Sequence, residues 1–205
     1  MRYKIEDIVA LIGARRYGNA EANIEWLLTD SRSLVFPETS LFFAIKTNIG
    51  DGHNYINELY KRGVRNFVVT KLPDKYDEKY PGTNFLYVID SRKALQRLSE
   101  RHREQYNIPI IGITGSNGKT IVKEWLNQLL QPVMNVTRSP RSYNSQIGVP
   151  LSVWLLDESS QIGVFEAGIS DPGEMDALRD IIQPTIGIMV NLGNAHQENF
   201  PDKES

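Results

Sequence analysis

Between residues 108 and 125 the chain reads IPIIGITGSNGKTIVKEW, a short apolar run that meets glycines and polar residues, after which Ile121, Trp125 and Leu129 recur at helical spacing. The residues around it alternate in the same manner. Apolar runs at 108–113, 133–137, 162–165 and 185–191 predict strands, and the longer amphipathic stretches 120–130, 149–156 and 173–182 predict helices. Strands that alternate with helices of this length predict a parallel sheet with helical crossovers, whose ligands gather beyond the carboxyl ends of the strands. The first half is a less regular α/β mixture. Residues 5–12 and 53–62 suit helices, while IEWLLTD, LFFAI, NFVVT and FLYVI suit strands. Between the halves, RKALQRLSERHREQY (92–106) predicts a helix with Leu95 and Leu98 turned inward and His102 on the solvated side. The expectation is an α/β chain of two domains, a small mixed α/β domain at 1–106 and a parallel-sheet nucleotide-binding domain at 107–205.

Composition narrows the chemistry. The 205 residues are 40% hydrophobic and 23% charged, which suits a globular chain rather than a disordered one. Lys and Arg number 23 against 25 Asp and Glu, a net charge of -2, so bulk charge gives no argument for nucleic acid or an anionic membrane. An anionic ligand must be held by local geometry. Cysteine is absent, which excludes disulfides and thiolate metal sites and suits a reducing compartment. Glu6 and Asp7 interrupt the only apolar part of the N-terminus, and no segment reaches the roughly 20 apolar residues of a membrane span. The cytoplasm is the expected location.

The sequence Thr114-Gly115-Ser116-Asn117-Gly118-Lys119-Thr120 lies between a predicted buried strand and a predicted helix. Glycines there let successive backbone N–H groups turn inward around phosphate oxygens, and the helix N-terminus adds positive potential. Lys119 can reach the outer phosphates and Thr120 can ligate magnesium, so the parts suit a nucleoside triphosphate. The match to G-x-x-x-x-G-K-[ST] is incomplete, because its first glycine position holds Ile113 while glycines stand at 112 and 115.

TGSNGKT resembles the phosphate loop of the Mur ligases, the ATP-dependent enzymes that build the peptide of cell-wall precursors. YNSQIGVPLSV, VFEAGISDPGEM and VNLGNAHQENF are similar to three further segments of that family, in the same order. In the first half, TDSR, then LFFAIK and DGH, resemble the family's UDP-sugar-binding domain, which the related folylpolyglutamate synthases lack. Within the family the wording is most similar to members that add D-alanyl-D-alanine to UDP-N-acetylmuramoyl-tripeptide, and FEAGISDPGEM is also similar to forms fused to an alanine racemase.

The resemblance implies an acyl phosphate made from a substrate carboxylate and ATP, then attacked by the amine of the dipeptide. It implies magnesium ligands at Thr120, Glu166 and His196, with Lys119, Glu166 and His196 serving the reaction, and a nucleotide contact at Asn144. It further implies UDP-sugar contacts at Thr29, Asp30, Ser31 and Arg32, and at Lys46, Asp51, Gly52 and His53. Ser145, Ala167 and Asn194 depart from the family wording. The family also has a C-terminal domain and a carbamylated lysine that no residue here matches, so this chain alone is expected to be inactive in ligation. Alternatives stay open: the ligase that adds the third amino acid, a non-catalytic nucleotide-sugar-binding module, or a general phosphate-loop NTPase.

Overall fold

The computed structural model describes residues 2–48, 50–168 and 173–191. The chain forms two compact units, 1–98 and 99–205. Their division falls inside a helix and earlier than the 106/107 boundary expected from sequence, because His102 and Arg103 are buried against carbonyls of the second unit.

The first unit contains β1 (Tyr3–Lys4), α1 (Ile5–Ile12), β2 (Arg15–Tyr17), β3 (Asn23–Ile24), β4 (Trp26–Leu28), β5 (Ser40–Phe43), β6 (Lys46–Thr47) and β7 (Gly50–Asp51). It continues with α2 (Ile56–Lys61), β8 (Asn66–Val69), α3 (Tyr76–Lys79), β9 (Asn84–Tyr87) and the start of α4 (Ser91–Arg103). Its main sheet has the order β2-β9-β8-β5-β4, with β9, β8, β5 and β4 parallel and β2 antiparallel at the edge. After their first polar residues, SLFF and NFVV run apolar without alternation because both faces of the inner strands are covered. Phe42, Phe67 and Phe85 pack with Ile56 and Leu59 of α2 on one face, and Leu41, Phe43, Val68 and Leu86 are fully buried on the other. α1 stops at Gly13, whose φ of 65° lets its N–H reach Ala10 O, as a helix-ending glycine does. The elements not foreseen, β1, β2, α3 and the β6–β7 hairpin, are two to four residues long, too short to display a period.

Because β4, β5 and β8 are parallel and adjacent, the residues that follow them leave at one edge of the sheet. Thr29 and Asp30 follow β4, Ala44 to Lys46 follow β5, and Thr70 follows β8.

The second unit has β10 (Ile110–Thr114), α5 (Lys119–Leu130), β11 (Val136–Arg138), α6 (Gly148–Val153), β12 (Ile162–Glu166), α7 (Glu174–Ile182) and β13 (Ile186–Met189). All four strands are parallel in the order β11-β12-β10-β13, as the alternation predicted. Ile111, Ile113 and Val164 face Val122, Leu126 and Leu130 of α5, while Ile110 and Phe165 face α6 and α7. The connections from β10 and β12 lead to opposite flanks of β10, so the crevice beyond β10 and β12 is a topological switch point.

One expectation here needs correction. His102 is buried rather than solvated: its Nε2 lies 2.9 Å from Leu156 O, and its ring is 4.6 Å from that of Trp154. In α5 the expected helix forms; Ile121, Trp125 and Leu129 lie on its exposed face, and the half-buried stripe of Val122, Leu126 and Leu130 packs on the sheet. Among the described residues no helix is long and apolar enough to cross a membrane.

Candidate active site

β10 delivers Thr114 to the loop, and two left-handed glycines make the turn. Gly115, at φ 129°, runs so close to the chain after β13 that an added Cβ would stand 2.8 Å from Asn191 O. Gly118, at φ 87°, precedes α5, where its carbonyl accepts from Val122 N at 3.0 Å. Both positions therefore exclude ordinary side chains at little cost to glycine. Ser116 N donates to Asn191 O at 3.0 Å, and Asn117 N donates to Asn191 Oδ1 at 2.9 Å. Lys119 turns back over the loop and donates to Gly115 O and Ser116 O.

Thr120 begins the inward face of α5, and its Oγ1 donates to Glu166 Oε2 at 3.0 Å. Glu166 ends β12 and is fully buried, so a predicted pair 46 residues apart meets in space. Glu166 N donates to Ser139 Oγ at 3.1 Å. Its other oxygen, Oε1, lies 2.9 Å from Lys123 Nζ, an ion-pair contact without hydrogen-bond geometry, so Oε1 accepts no hydrogen bond. Lys123 is equally buried and donates to Ser139 O at 2.9 Å and to Arg141 O.

Magnesium prefers oxygen donors and keeps several waters when nucleotide phosphates share it, so it needs no cage of protein side chains. Among the described residues there is indeed no cluster of three or more His, Asp or Glu. The residues present nevertheless fit the ion: Thr120 and Glu166 are hard oxygen donors whose Oγ1 and Oε2 are in contact at the loop mouth.

Asn144 lies at the same end of the sheet. Its carbonyl accepts from Gly168 N at 2.8 Å, and an added Cβ at Gly168 would come within 3.0 Å of the Asn144 side chain. The N–H of Gly148, the first residue of α6, donates to Ser145 Oγ at 3.1 Å. His196 lies outside the described residues.

The expected UDP-sugar residues share the carboxyl edge of the first sheet, and most are already tied together. Asp30 accepts from the backbone and guanidinium of Arg32, at 2.9 Å from N and 2.6 Å from Nη2. The Arg32 side chain and then its backbone N–H hold the Asp30 carboxyl below the usual range. Ser31 is buried and its carbonyl accepts from Arg62 Nη1 at 2.8 Å. His53 uses both ring nitrogens: Nδ1 faces Asp51 Oδ1 at 2.6 Å, and Nε2 accepts from Thr70 N at 3.1 Å. The second bond requires a bare Nε2, which assigns the proton to Nδ1. Burial pushes the Asp51 carboxyl up, but the hydrogen bonds from His53 outweigh it and leave the group below its ordinary value. Gly52 has no room for a side chain, with Ile45 N 2.7 Å from an added Cβ, whereas Lys46 is exposed on the β6–β7 hairpin.

Sequence reading did not single out Lys123, Ser139, Asn191 or Thr70. Asn191 stood in a quoted segment that could have signalled it; Lys123 and Thr70 stood in quoted runs that bear no mark of these contacts, and Ser139 stood in none.

Residues 113–205 match the Mur ligase middle domain. A UDP-N-acetylmuramoyl-tripeptide–D-alanyl-D-alanine ligase of Borreliella burgdorferi is 34% identical over 215 aligned residues, covering all of this chain and 46% of the relative. A solved MurF structure from Acinetobacter baumannii matches with a TM-score of 0.89 and 27% identity, over 100% of this chain and 44% of that one. MurF ligase from Thermotoga maritima, solved in complex with ADP, gives a TM-score of 0.75 and 28% identity over 88% of this chain and 40% of that one. The chain thus spans less than half the length of these relatives. The similarity to ligases of the Mur family thus runs through the whole chain, and the match to their middle domain starts inside the strand that feeds the glycine loop.

Proposed function

We propose that this chain is the UDP-sugar-binding and ATP-binding part of a ligase that adds D-alanyl-D-alanine to UDP-N-acetylmuramoyl-tripeptide in cytoplasmic peptidoglycan precursor synthesis. The observation that carries the reading is the contact of Thr120 with the buried Glu166 at the mouth of a glycine loop. The similarity to ligases of that name extends over both units.

In this reading the loop N–H groups and Lys119 hold the ATP phosphates, and the first unit holds the uridine diphosphate end of the precursor near Asp30, Lys46 and His53. Thr120 and Glu166, with His196, would hold magnesium, which offsets charge on the phosphate oxygens when bound. The substrate carboxylate takes the γ-phosphoryl group and ADP leaves. The amine of D-alanyl-D-alanine then attacks the acyl phosphate, phosphate departs, and the ammonium proton passes to solvent. Phosphoryl transfer asks the protein for positioning and charge stabilisation rather than a nucleophile, in keeping with the residues at this site.

The test is phosphate release by a protein that extends this chain to the length of its relatives, supplied with ATP, magnesium, the UDP-linked tripeptide and D-alanyl-D-alanine. Release should require both the tripeptide precursor and the dipeptide. Release that ignores the dipeptide refutes the proposed acceptor. Lys119→Ala should abolish turnover and leave binding of the UDP-linked precursor within about 3-fold; equal loss of both would contradict separate sites.

A further inference from the structure

We propose that Lys123 is a positioning residue that fixes which oxygen of Glu166 is offered to nucleotide-bound magnesium. The proposal rests on the reading above that Glu166 is a magnesium ligand. Lys123 lies one helical turn beyond Lys119 on α5, yet its ammonium points into the protein and has no solvent exposure. Two of its three N–H groups are directed to Ser139 O and Arg141 O, and Glu166 Oε1 stands 2.9 Å away. Ser139 closes the frame from the other side, because its Oγ accepts from the backbone N–H of Glu166. The carboxylate is therefore held by Thr120 and Lys123 of α5, while the chain after β11 fixes the Glu166 backbone and the Lys123 ammonium.

The two oxygens have different surroundings. Oε1 faces the buried ammonium, and Oε2 faces Thr120 at the loop mouth. A buried ammonium and a buried carboxylate each need the other, since either alone keeps an uncompensated charge away from water. The pairing pins Oε1 inward and leaves Oε2 to turn to a metal when Thr120 gives up its hydrogen bond. Lys123 has one further acidic neighbour, Glu124 at 3.3 Å, but Glu124 is partly exposed and paired with Arg138 at 2.8 Å. Arg138 can take over that charge, whereas Glu166 has no other cation in contact among the described residues.

The test uses the 205-residue chain and the non-hydrolysable analogue AMP-PNP, titrated calorimetrically with magnesium and with EDTA. In the native chain magnesium should tighten binding, and Glu166→Gln should remove that gain. Lys123→Met should reduce the gain at least 10-fold while metal-free binding changes by less than about 3-fold. In the Glu166→Gln background, Lys123→Met should change neither quantity, and the double variant should melt higher than Lys123→Met alone. A magnesium gain that survives Glu166→Gln refutes the underlying metal reading. A gain lost with Glu166→Gln but kept with Lys123→Met refutes only the role of Lys123, as does a further loss when Lys123→Met is added to Glu166→Gln. A crystal structure of the native chain with magnesium and AMP-PNP needs no variant to fold. Coordination through Oε2 with Lys123 still on Oε1 is expected, and metal on Oε1 or on both oxygens overturns the proposal.

Discussion

His102 should make the second unit lose stability in mild acid. Burial lowers its pKa from 6.5 to about 4, against the opposing hydrogen bond to Leu156 O. The unfolded chain therefore binds more protons between these values, and stability rises with pH across that window. The contribution is complete above about pH 6.5 and is lost as pH falls toward 4. The full shift corresponds to about 3 kcal/mol at 1.36 kcal/mol per unit, and lowering pH from 7.5 to 5 should remove about 2 kcal/mol of it. Urea unfolding at these two pH values measures the difference, with fluorescence of Trp154 as the reporter because its ring lies 4.6 Å from the imidazole. His102→Gln can keep an N–H donor for Leu156 O without titrating. Its pH dependence should be smaller than that of the native chain by about 2 kcal/mol. Equal pH dependence in the two proteins would falsify the assignment of this acid sensitivity to His102.

Gly115→Ala forces a Cβ against Asn191 O at φ 129°, so it should destabilise the second unit by about 1–3 kcal/mol and weaken nucleotide binding, read by urea unfolding and calorimetry. His53→Ala strips Asp51 and Thr70 N of their partner and should cost the first unit about 1–3 kcal/mol; stability within 0.3 kcal/mol of native, on the order of error in such measurements, would refute the clasp. Thr120→Val keeps the shape of the residue but removes the donor to Glu166. It should lose the magnesium-dependent gain in AMP-PNP affinity while far-ultraviolet circular dichroism stays native.

The parallel sheet of the second unit was legible because its elements are long enough to show their periods, and because the glycine loop marks where strand becomes helix. The meeting of Thr120 with Glu166 followed from that topology and the family wording, since β10 and β12 are neighbours and both residues lie at their carboxyl ends. The first unit was harder to read. Its parallel strands were recognisable from LFFAI and NFVVT, but the β6–β7 hairpin and β2 have no pattern beyond a few residues. His53 was singled out for a ligand, yet its two ring nitrogens hold Asp51 and Thr70; the partner from the end of β8 comes close only in the folded sheet.

The same limit explains why neither Lys123 nor the inward face of α5 could be picked out from the sequence. Apolar residues at 121, 125 and 129 and those at 122, 126 and 130 satisfy helical spacing equally well, so periodicity leaves the rotation of the helix undecided by one residue. The phosphate loop decides it. With Gly118 starting the helix and Thr120 turned toward β12, the inward face must carry position 123 as well, and there the sequence supplies lysine rather than an apolar residue. Trp125 and Leu129 are left exposed in consequence. A helix chosen for packing alone would bury that tryptophan. Here the buried positions instead include the ammonium that neutralises Glu166, so the rotation of α5 follows the contacts of Thr120 and Lys123 with Glu166 at its first turns, and the sheet packs on the face that remains.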